Sequence, residues 1–336
     1  AGGFNGIPIE LVIYDDQNSA EEAVKVTTRL IEVENVDAYI GSVNSSEVLA
    51  VADYLTEHKI YSFGMGTSAT WMRPEYKYLF RAVRSETKTV PLTVDIAEKL
   101  GFKKIAVFHG QDDASIMSSE AFMEECKSRE IEICAQETFD SNDTDFSAQV
   151  ASMIASEPDT VYIATIASPA PVIVSQLRQY GYDGIILDRE SFMTSQIDIA
   201  GEENSNYIAF AIPYVTYESI DDCEDPYMKS FLQEYMDMHG ELVKCDSAYR
   251  AYDTIMAMWE ASKIAGKNDA ESLREATNQI SGLQALGGTL DFTNGDREGY
   301  GTFGSYILID RKNIPFDQWL EEGGYEAYKA ATGNEK

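Results

Sequence analysis

The feature that most constrains the fold is a regular alternation of short apolar runs with amphipathic helical patterns. The runs are apolar throughout instead of alternating with polar residues, which is typical of parallel strands buried on both faces. They form two series along the chain. The first series lies at 9–15, 38–42, 60–64 and 78–83, and the second at 104–110, 131–137, 160–166, 184–188 and 207–212.

Amphipathic helices are predicted between these strands. The first is announced by Ser19 with Glu22 three residues later, which is the spacing of a capping box, ahead of apolar residues at a 3.6-residue period. This alternation of strands and helices occurs in two series, which predicts two doubly wound α/β domains. Further helices are predicted at 45–57, 90–100, 114–128, 145–156, 170–180, 226–239, 246–265 and 269–280, with short strands at 287–293 and 303–310.

The charge of the chain excludes one class of partner. The 336 residues include 57 acidic and 26 basic side chains, giving a net charge of −31. Binding to DNA or RNA phosphates needs clustered Lys and Arg, so we expect no nucleic-acid partner and interpret the acidic excess as a well-solvated surface. No apolar run approaches the roughly 20 residues of a membrane-spanning helix, so none is predicted.

The four cysteines give no sign of a metal site. They stand at 126, 134, 223 and 245, without a C-x-x-C pair and without a histidine at ligand spacing. Cys223 and Cys245 flank the predicted helix 226–239 and could form a disulfide outside the cytosol, with free buried thiols as the alternative. We expect no bound metal.

Small polar residues follow several of the predicted strands. In open α/β sheets, ligands bind beyond the carboxyl ends of the strands. Ser45 and Ser46 open a helix there, and the loop 64–68 offers hydroxyls and backbone N–H groups, which suits a carboxylate. Glu190 follows the strand 184–188 and suits an ammonium group. Each hydroxyl alone is commonly an N-cap or turn residue, so the prediction depends on the set.

The strand ends carry no motif of a known catalytic class. G-x-S-x-G, a Walker lysine, H-E-x-x-H and a dinucleotide G-x-G-x-x-G opening a helix are all missing from them. Glycines and hydroxyls can hold a small zwitterion reversibly without a nucleophile. We therefore expect a binding protein with no catalytic residue and no cofactor.

The order and spacing of several segments resemble the type I periplasmic-binding-protein superfamily. Within it, the chain is similar to the branched-chain-amino-acid-type substrate-binding proteins of ABC transporters, over essentially its whole length. The segments are "GGFNGIPIELVIYDDQNSAEEAV", "AYIGSVNSSEVLAVADYL", "IYSFGMGTSAT", "KKIAVFHG", "LRQYGYDG" and "AYRAYDTIMAMWEASKIAG".

The resemblance implies two Rossmann-like α/β lobes joined by three crossovers, which close over an amino acid or related carboxylate and deliver it to an ABC permease. It implies an extracytoplasmic protein, periplasmic or lipid-anchored at the cell surface, and we expect a monomer. The expected lobes are 1–84 with 214–302, and 85–213 with 303–336.

The resemblance also assigns roles to residues of the strand ends. Ser45 and Thr67 would contact the ligand's polar groups from one wall of an interdomain cleft, and Met65 and Gly66 would supply backbone or pocket wall. Glu190 would face the ammonium from the opposite wall.

Two positions depart from the family pattern. Ala114 stands where many relatives have a tyrosine, and Ile166, in the loop 166–168, stands where an aromatic residue is frequent. A branched-chain or aromatic amino acid, an aromatic acid and a peptide-like ligand all stay open.

The family normally opens with a strand and a helix before its "GG-x-x-G" loop. We expect such a βα unit of roughly 30 residues, and any targeting segment, to precede Ala1. Its strand would lie between 9–15 and 38–42, following the 2-1-3-4-5 strand order.

Two other classes of function use the same lobes or a related fold. A sensory ectodomain or regulator would report a ligand through an attached transmembrane or DNA-binding segment, neither of which is found in these residues. A Rossmann-type enzyme would show turnover, or stabilisation by a nucleotide.

Overall fold

The computed structural model describes residues 3–140, 142–166, 169–301 and 303–333. The strands are β1 (Ala38–Ile40), β2 (Tyr61–Phe63), β3 (Leu79–Phe80), β4 (Lys104–Gly110), β5 (Glu132–Phe139), β6 (Thr160–Ala164), β7 (Ile186–Asp188), β8 (Ile208–Ile212), β9 (Leu283–Ala285), β10 (Gly288–Leu290), β11 (Gly304–Ile309) and β12 (Lys312–Pro315).

Twelve α-helices are found in the part of the chain that the structure describes. In the described residues none of them is both long and apolar enough to cross a membrane. They are α1 (Ala20–Glu32), α2 (Ser45–Glu57), α3 (Glu86–Lys99), α4 (Asp113–Ser128), α5 (Ser147–Ala155), α6 (Ala170–Gln179), α7 (Thr194–Ala200), α8 (Pro226–His239), α9 (Ser247–Ala265), α10 (Ala270–Thr277), α11 (Phe316–Glu321) and α12 (Gly324–Thr332).

The chain divides into two compact units. The first unit is Ala1–Ser85 with Ser247–Thr302, and the second is Glu86–Asp246 with Phe303–Lys336. The chain therefore passes between the units three times.

The first unit is built on a small parallel sheet. Its strands lie in the order β1-β2-β3, and β9 and β10 form a separate antiparallel hairpin. The helix α1 begins after Ser19, whose hydroxyl accepts a hydrogen bond from the backbone N–H of Glu22 at 3.4 Å. Val48, Leu55 and Trp71 are among the side chains that fill the core of this unit.

The second unit contains a seven-stranded sheet in the order β12-β11-β8-β7-β6-β4-β5. The five strands from β4 to β8 pair in parallel, and β11 and β12 pair antiparallel at one edge. Alternate residues of β4 belong to two separate apolar clusters, Ala106 and Phe108 to one and Ile105 and Val107 to the other. This strand is buried on both faces, which explains its continuous apolar run.

The segment 9–15 is not the strand that its apolar run predicts. It has no regular structure and pairs with no strand among the residues that the structure describes. Ile9, Leu11 and Ile13 are 50%, 69% and 82% exposed. An apolar run becomes a strand only where a neighbouring backbone satisfies its N–H and C=O groups, and the described part of the chain offers this segment none.

Residues 214–246 lie in the second unit, whereas the expected boundaries put them in the first. Side-chain contacts with β12 explain this placement: Asn313 donates to the carbonyl of Thr216 at 2.9 Å, and Lys312 pairs with Asp222 at 3.1 Å. Cys223 and Cys245 in this segment are both free thiols, the first buried and the second exposed.

A buried carboxylate ties α9 to the hairpin of the first unit. Asp253 is fully buried, and its carboxylate accepts hydrogen bonds from the Tyr300 hydroxyl and from the Leu286 backbone N–H, the latter at 2.9 Å. Burial raises the pKa of Asp253 to about 7, although these hydrogen bonds act in the opposite direction.

Asp253→Asn should flatten the pH dependence of stability. The folded protein holds a proton that the unfolded chain releases, so this group's contribution is complete at low pH and is lost between about pH 4 and pH 7. Urea unfolding across that window should show a steeper fall for wild type, by at most about 1.4 kcal/mol per pH unit. The exposed Asp237→Asn removes the same charge as a control, and equal slopes in all three proteins would contradict the prediction.

Candidate functional site

In the first unit, the loop 64–68 lies against the start of α2. The backbone N–H of Ser68 donates to the Ser45 hydroxyl at 3.0 Å, and that of Met65 donates to the carbonyl of Ser42 at 3.1 Å. A Cβ atom at Gly66 would lie 2.7 Å from the Cα atom of Ser45, so only glycine allows this approach. The structure therefore brings Ser45, Met65, Gly66 and Thr67 together.

The Ser45 hydroxyl does not cap its helix. The N-cap of α2 is Asn44, and Ser45 is the first helical residue. Its hydroxyl instead holds the loop 64–68, and both Ser45 and Thr67 are almost fully buried, at 2% and 3% exposure. Ser46 follows with partial exposure. Ordinary N-capping, the alternative for Ser45, is not what the structure shows.

In the second unit, Ala114, Ile166 and Glu190 follow three neighbouring parallel strands. Ala114 lies in the first turn of α4 after β4, Ile166 lies just beyond β6, and Glu190 lies two residues beyond β7. Because β7, β6 and β4 are adjacent and parallel, their carboxyl ends meet at one edge of the sheet. Residues 167 and 168 of the loop 166–168 are outside the described residues.

Glu190 shares a buried arginine with another carboxylate. Arg189 donates to Glu190 and pairs with Glu86, the first residue of α3, with both N···O distances at 2.9 Å. The side chains of Arg189 and Glu86 are 2% and 0% exposed, and that of Glu190 is 13% exposed. Arg189, Glu86 and Glu190 thus form a cluster of charged side chains at this sheet edge.

The two carboxylates determine the protonation of Arg189. Burial alone would lower the pKa of its guanidinium, but Glu86 and Glu190 outweigh burial and hold that pKa above its ordinary value. Arg189 also donates to the backbone carbonyl of Thr165 at 2.8 Å. Arg189 is therefore held as a cation and is fixed to the end of β6.

Sequence reasoning missed Arg189 and Glu86 because neither residue belongs to a recognisable motif. The only available signal was a charge pair, Arg189-Glu190, at the end of an apolar strand. Near this edge, Asp112 is the N-cap of α4 and accepts from the Ser115 backbone N–H at 3.0 Å. Across the described ranges, no three His, Cys, Asp or Glu side chains form a group that could hold a metal ion.

Gly66→Ala should disturb the arrangement of the loop on α2. The added methyl group would meet the backbone of Ser45, at 2.7 Å from Cα and 2.9 Å from N, which cannot give way as a flexible side chain would. We expect a lower melting temperature and weaker ligand binding. Gly301→Ala is the matched control, because a Cβ atom there meets nothing within 4 Å. Equal melting curves for the two variants would contradict the close approach.

A family model described as a periplasmic binding protein matches residues 1–305. The chain belongs to the periplasmic binding protein family. The match extends through the whole first unit and most of the second.

Individual relatives of this periplasmic binding protein point to one branch of the family. The "leucine-, isoleucine-, valine-, threonine-, and alanine-binding protein" of Pseudomonas aeruginosa is 25% identical over 342 aligned residues, covering 100% of this chain and 83% of the relative. The crystal structure of a leucine binding protein, LivK, from Thermotoga maritima is 25% identical with a TM-score of 0.83, covering 93% of this chain and 88% of that one.

A third likeness shows the fold. The branched-chain amino acid transporter substrate binding protein LivJ from Streptococcus pneumoniae, solved with isoleucine, has a TM-score of 0.81 at 23% identity, covering 93% of this chain and 87% of that one. The family match and the two relatives at 25% identity confirm the predicted resemblance to branched-chain-amino-acid-type binding proteins, and the two solved structures confirm the predicted α/β fold class.

Proposed function

We propose that this periplasmic binding protein binds a small amino acid or related carboxylate outside the cytoplasm and delivers it to the permease of an ABC transporter. The observation that carries the proposal is the contrast between the two sheet edges. The first unit gathers hydroxyls and closely packed backbone around Ser45 and Thr67, and the second places the carboxylate of Glu190 beside the buried Arg189 at the edge of its sheet.

This contrast matches the two ends of a zwitterion. A carboxylate is best held by hydroxyl and backbone N–H donors near a helix start, and an ammonium group is best held by a carboxylate. In this proposal one ligand molecule is recognised by both units. Its carboxylate is bound by Ser45, Ser46 and Thr67 beside Met65 and Gly66, and its ammonium group by Glu190.

The residues beside Glu190 favour an apolar ligand side chain. Ala114 and Ile166 at the same sheet edge offer small and aliphatic surfaces instead of aromatic ones. The relatives named for leucine, isoleucine and valine, and the isoleucine complex, support a branched-chain ligand. The protein would work as a monomer that binds without turnover. In this proposal the protein uses no catalytic residue, no cofactor and no metal.

A thermal-shift screen should identify the ligand. L-leucine, L-isoleucine, L-valine, L-phenylalanine and benzoate would each be added to the protein, with ATP and NAD as probes of an enzyme. A ligand at 100 times its dissociation constant should add about 2.7 kcal/mol to the free energy of unfolding. Stabilisation by a nucleotide alone would contradict the proposal and favour the Rossmann-type enzyme.

Glu190→Gln should weaken binding of an amino acid several-fold or more, because a hydrogen bond to a charged group contributes about 1.5–3 kcal/mol. The 2-oxo acid of the same side chain lacks the ammonium group, so its affinity should change little. Isothermal titration calorimetry measures the affinity of each protein for both the amino acid and the 2-oxo acid.

Glu124→Gln is the matched control, since Glu124 is an exposed carboxylate on α4. If Glu190→Gln leaves amino-acid affinity unchanged, Glu190 does not bind the ammonium group.

A further inference from the structure

Arg81 is a fully buried arginine placed directly behind the loop 64–68. It follows β3 and has no exposed surface. Its Nη1 atom donates to the carbonyl oxygens of Thr67 at 3.0 Å and Ser68 at 2.6 Å, with that of Gly66 at 3.5 Å. One guanidinium nitrogen thus contacts consecutive carbonyls of the segment that sequence reasoning assigned to the ligand.

The other side of the guanidinium is bound to a carboxylate. Nη2 pairs with Glu298 at 2.5 Å and donates to the Ser85 hydroxyl at 2.8 Å. The guanidinium also lies 5.0 Å from the centre of the Trp71 ring. A buried charge is tolerated only when it is paired and hydrogen-bonded, and these contacts meet that requirement.

The backbone of Arg81 is held as firmly as its side chain. Its N–H donates to the carbonyl of Arg297 at 3.0 Å, and its carbonyl accepts from the N–H of Gly299 at 2.8 Å. Arg81 and Glu298 form a parallel β-bridge between these bonds. The backbone from which the guanidinium extends toward the loop is therefore fixed by hydrogen bonds.

We infer that Arg81 is a positioning residue for ligand binding, which sets the orientation of the peptide groups of the loop 64–68. This inference rests on the proposed function. A carbonyl and the N–H of the following residue lie on opposite edges of one planar peptide group. Holding the Thr67 carbonyl thereby orients the Ser68 N–H, which donates to the Ser45 hydroxyl at 3.0 Å. The Gly66 carbonyl orients the Thr67 N–H in the same way.

Arginine is required at this position because of its shape. Its planar fork binds carbonyls through one terminal nitrogen and a carboxylate through the other. Lysine keeps the positive charge beside Glu298, but its single ammonium nitrogen cannot hold both sets of partners. Arg81→Lys therefore removes hydrogen bonds to the loop carbonyls while keeping a positive charge beside Glu298 in the core.

The experiment compares Arg81→Lys with Arg178→Lys. Arg178 donates to the carbonyls of Tyr182 and Gly184, each at 2.8 Å, and so holds a loop of the second unit that carries no proposed ligand contact. Hydrogen exchange of the backbone amides of 64–68 is measured without ligand. Affinity for L-leucine, or for whichever amino acid the screen selects, is measured by calorimetry.

Arg81→Lys should speed exchange in the loop and weaken amino-acid binding, each by about tenfold or more, as expected for losing hydrogen bonds to a charged group. Arg178→Lys should lower the melting temperature while leaving both quantities near wild type. Unchanged loop exchange in Arg81→Lys would overturn the inference, and so would an equal loss of affinity in both variants.

If Arg81→Lys does not fold, Glu298→Gln replaces it and should speed exchange in 64–68 more than in α1, whereas equal acceleration overturns the inference. Because exchange is measured without ligand, a wild-type protein that binds no amino acid contradicts the proposed function alone. The comparison of hydrogen exchange in 64–68 between wild type and the variants then still tests whether Arg81 orients the peptide groups of this loop.

Discussion

A parallel strand that is buried on both faces can present polar groups only where it ends. In β4 and β6 the residues 105–108 and 161–164 each belong to one of two apolar clusters, so these stretches have no side chain left for a ligand. The functional candidates therefore lie in the segments just beyond the strands. Ser45 opens the helix after β1, and Thr67 and Glu190 lie in the loops after β2 and β7. This restriction explains why a few short segments carry the proposed function.

The loops that carry these polar residues lie beside apolar cores. The residues that hold the loops in place are therefore buried themselves. Each unit uses an arginine for this purpose. Arg81 contacts the carbonyls beyond β2, and Arg189 contacts the Thr165 carbonyl beyond β6 while binding Glu190. Both guanidinium groups are paired with a carboxylate from a distant part of the chain, Glu298 for one and Glu86 for the other. Removing one partner of such a pair typically costs several kcal/mol, so these loops are strongly held.

Sequence reasoning located the loops well and their supports poorly. The loop 64–68 was recognisable because glycines and hydroxyls at the end of an apolar run are unusual in a strand. Arg81 and Glu298 were not recognisable, since they are 217 residues apart and meet only after folding. The run 9–15 shows the opposite error, where a strand pattern finds no partner strand among the described residues. The apolar pattern of a segment shows which side chains it can bury. Whether the segment pairs as a β-strand depends on which backbone lies beside it in the folded chain.

The sequence by itself determined the α/β class, the alternation of strands and helices and the family, because these follow from hydrophobic periodicity and from local turn and capping residues. It also determined which loops follow the strand ends. Only the tertiary structure decided that Ser45 holds a loop instead of capping its helix, that Glu190 shares Arg189 with Glu86, and that 214–246 lies with the second unit. Those outcomes depend on contacts between residues far apart in the chain, which no local periodicity encodes.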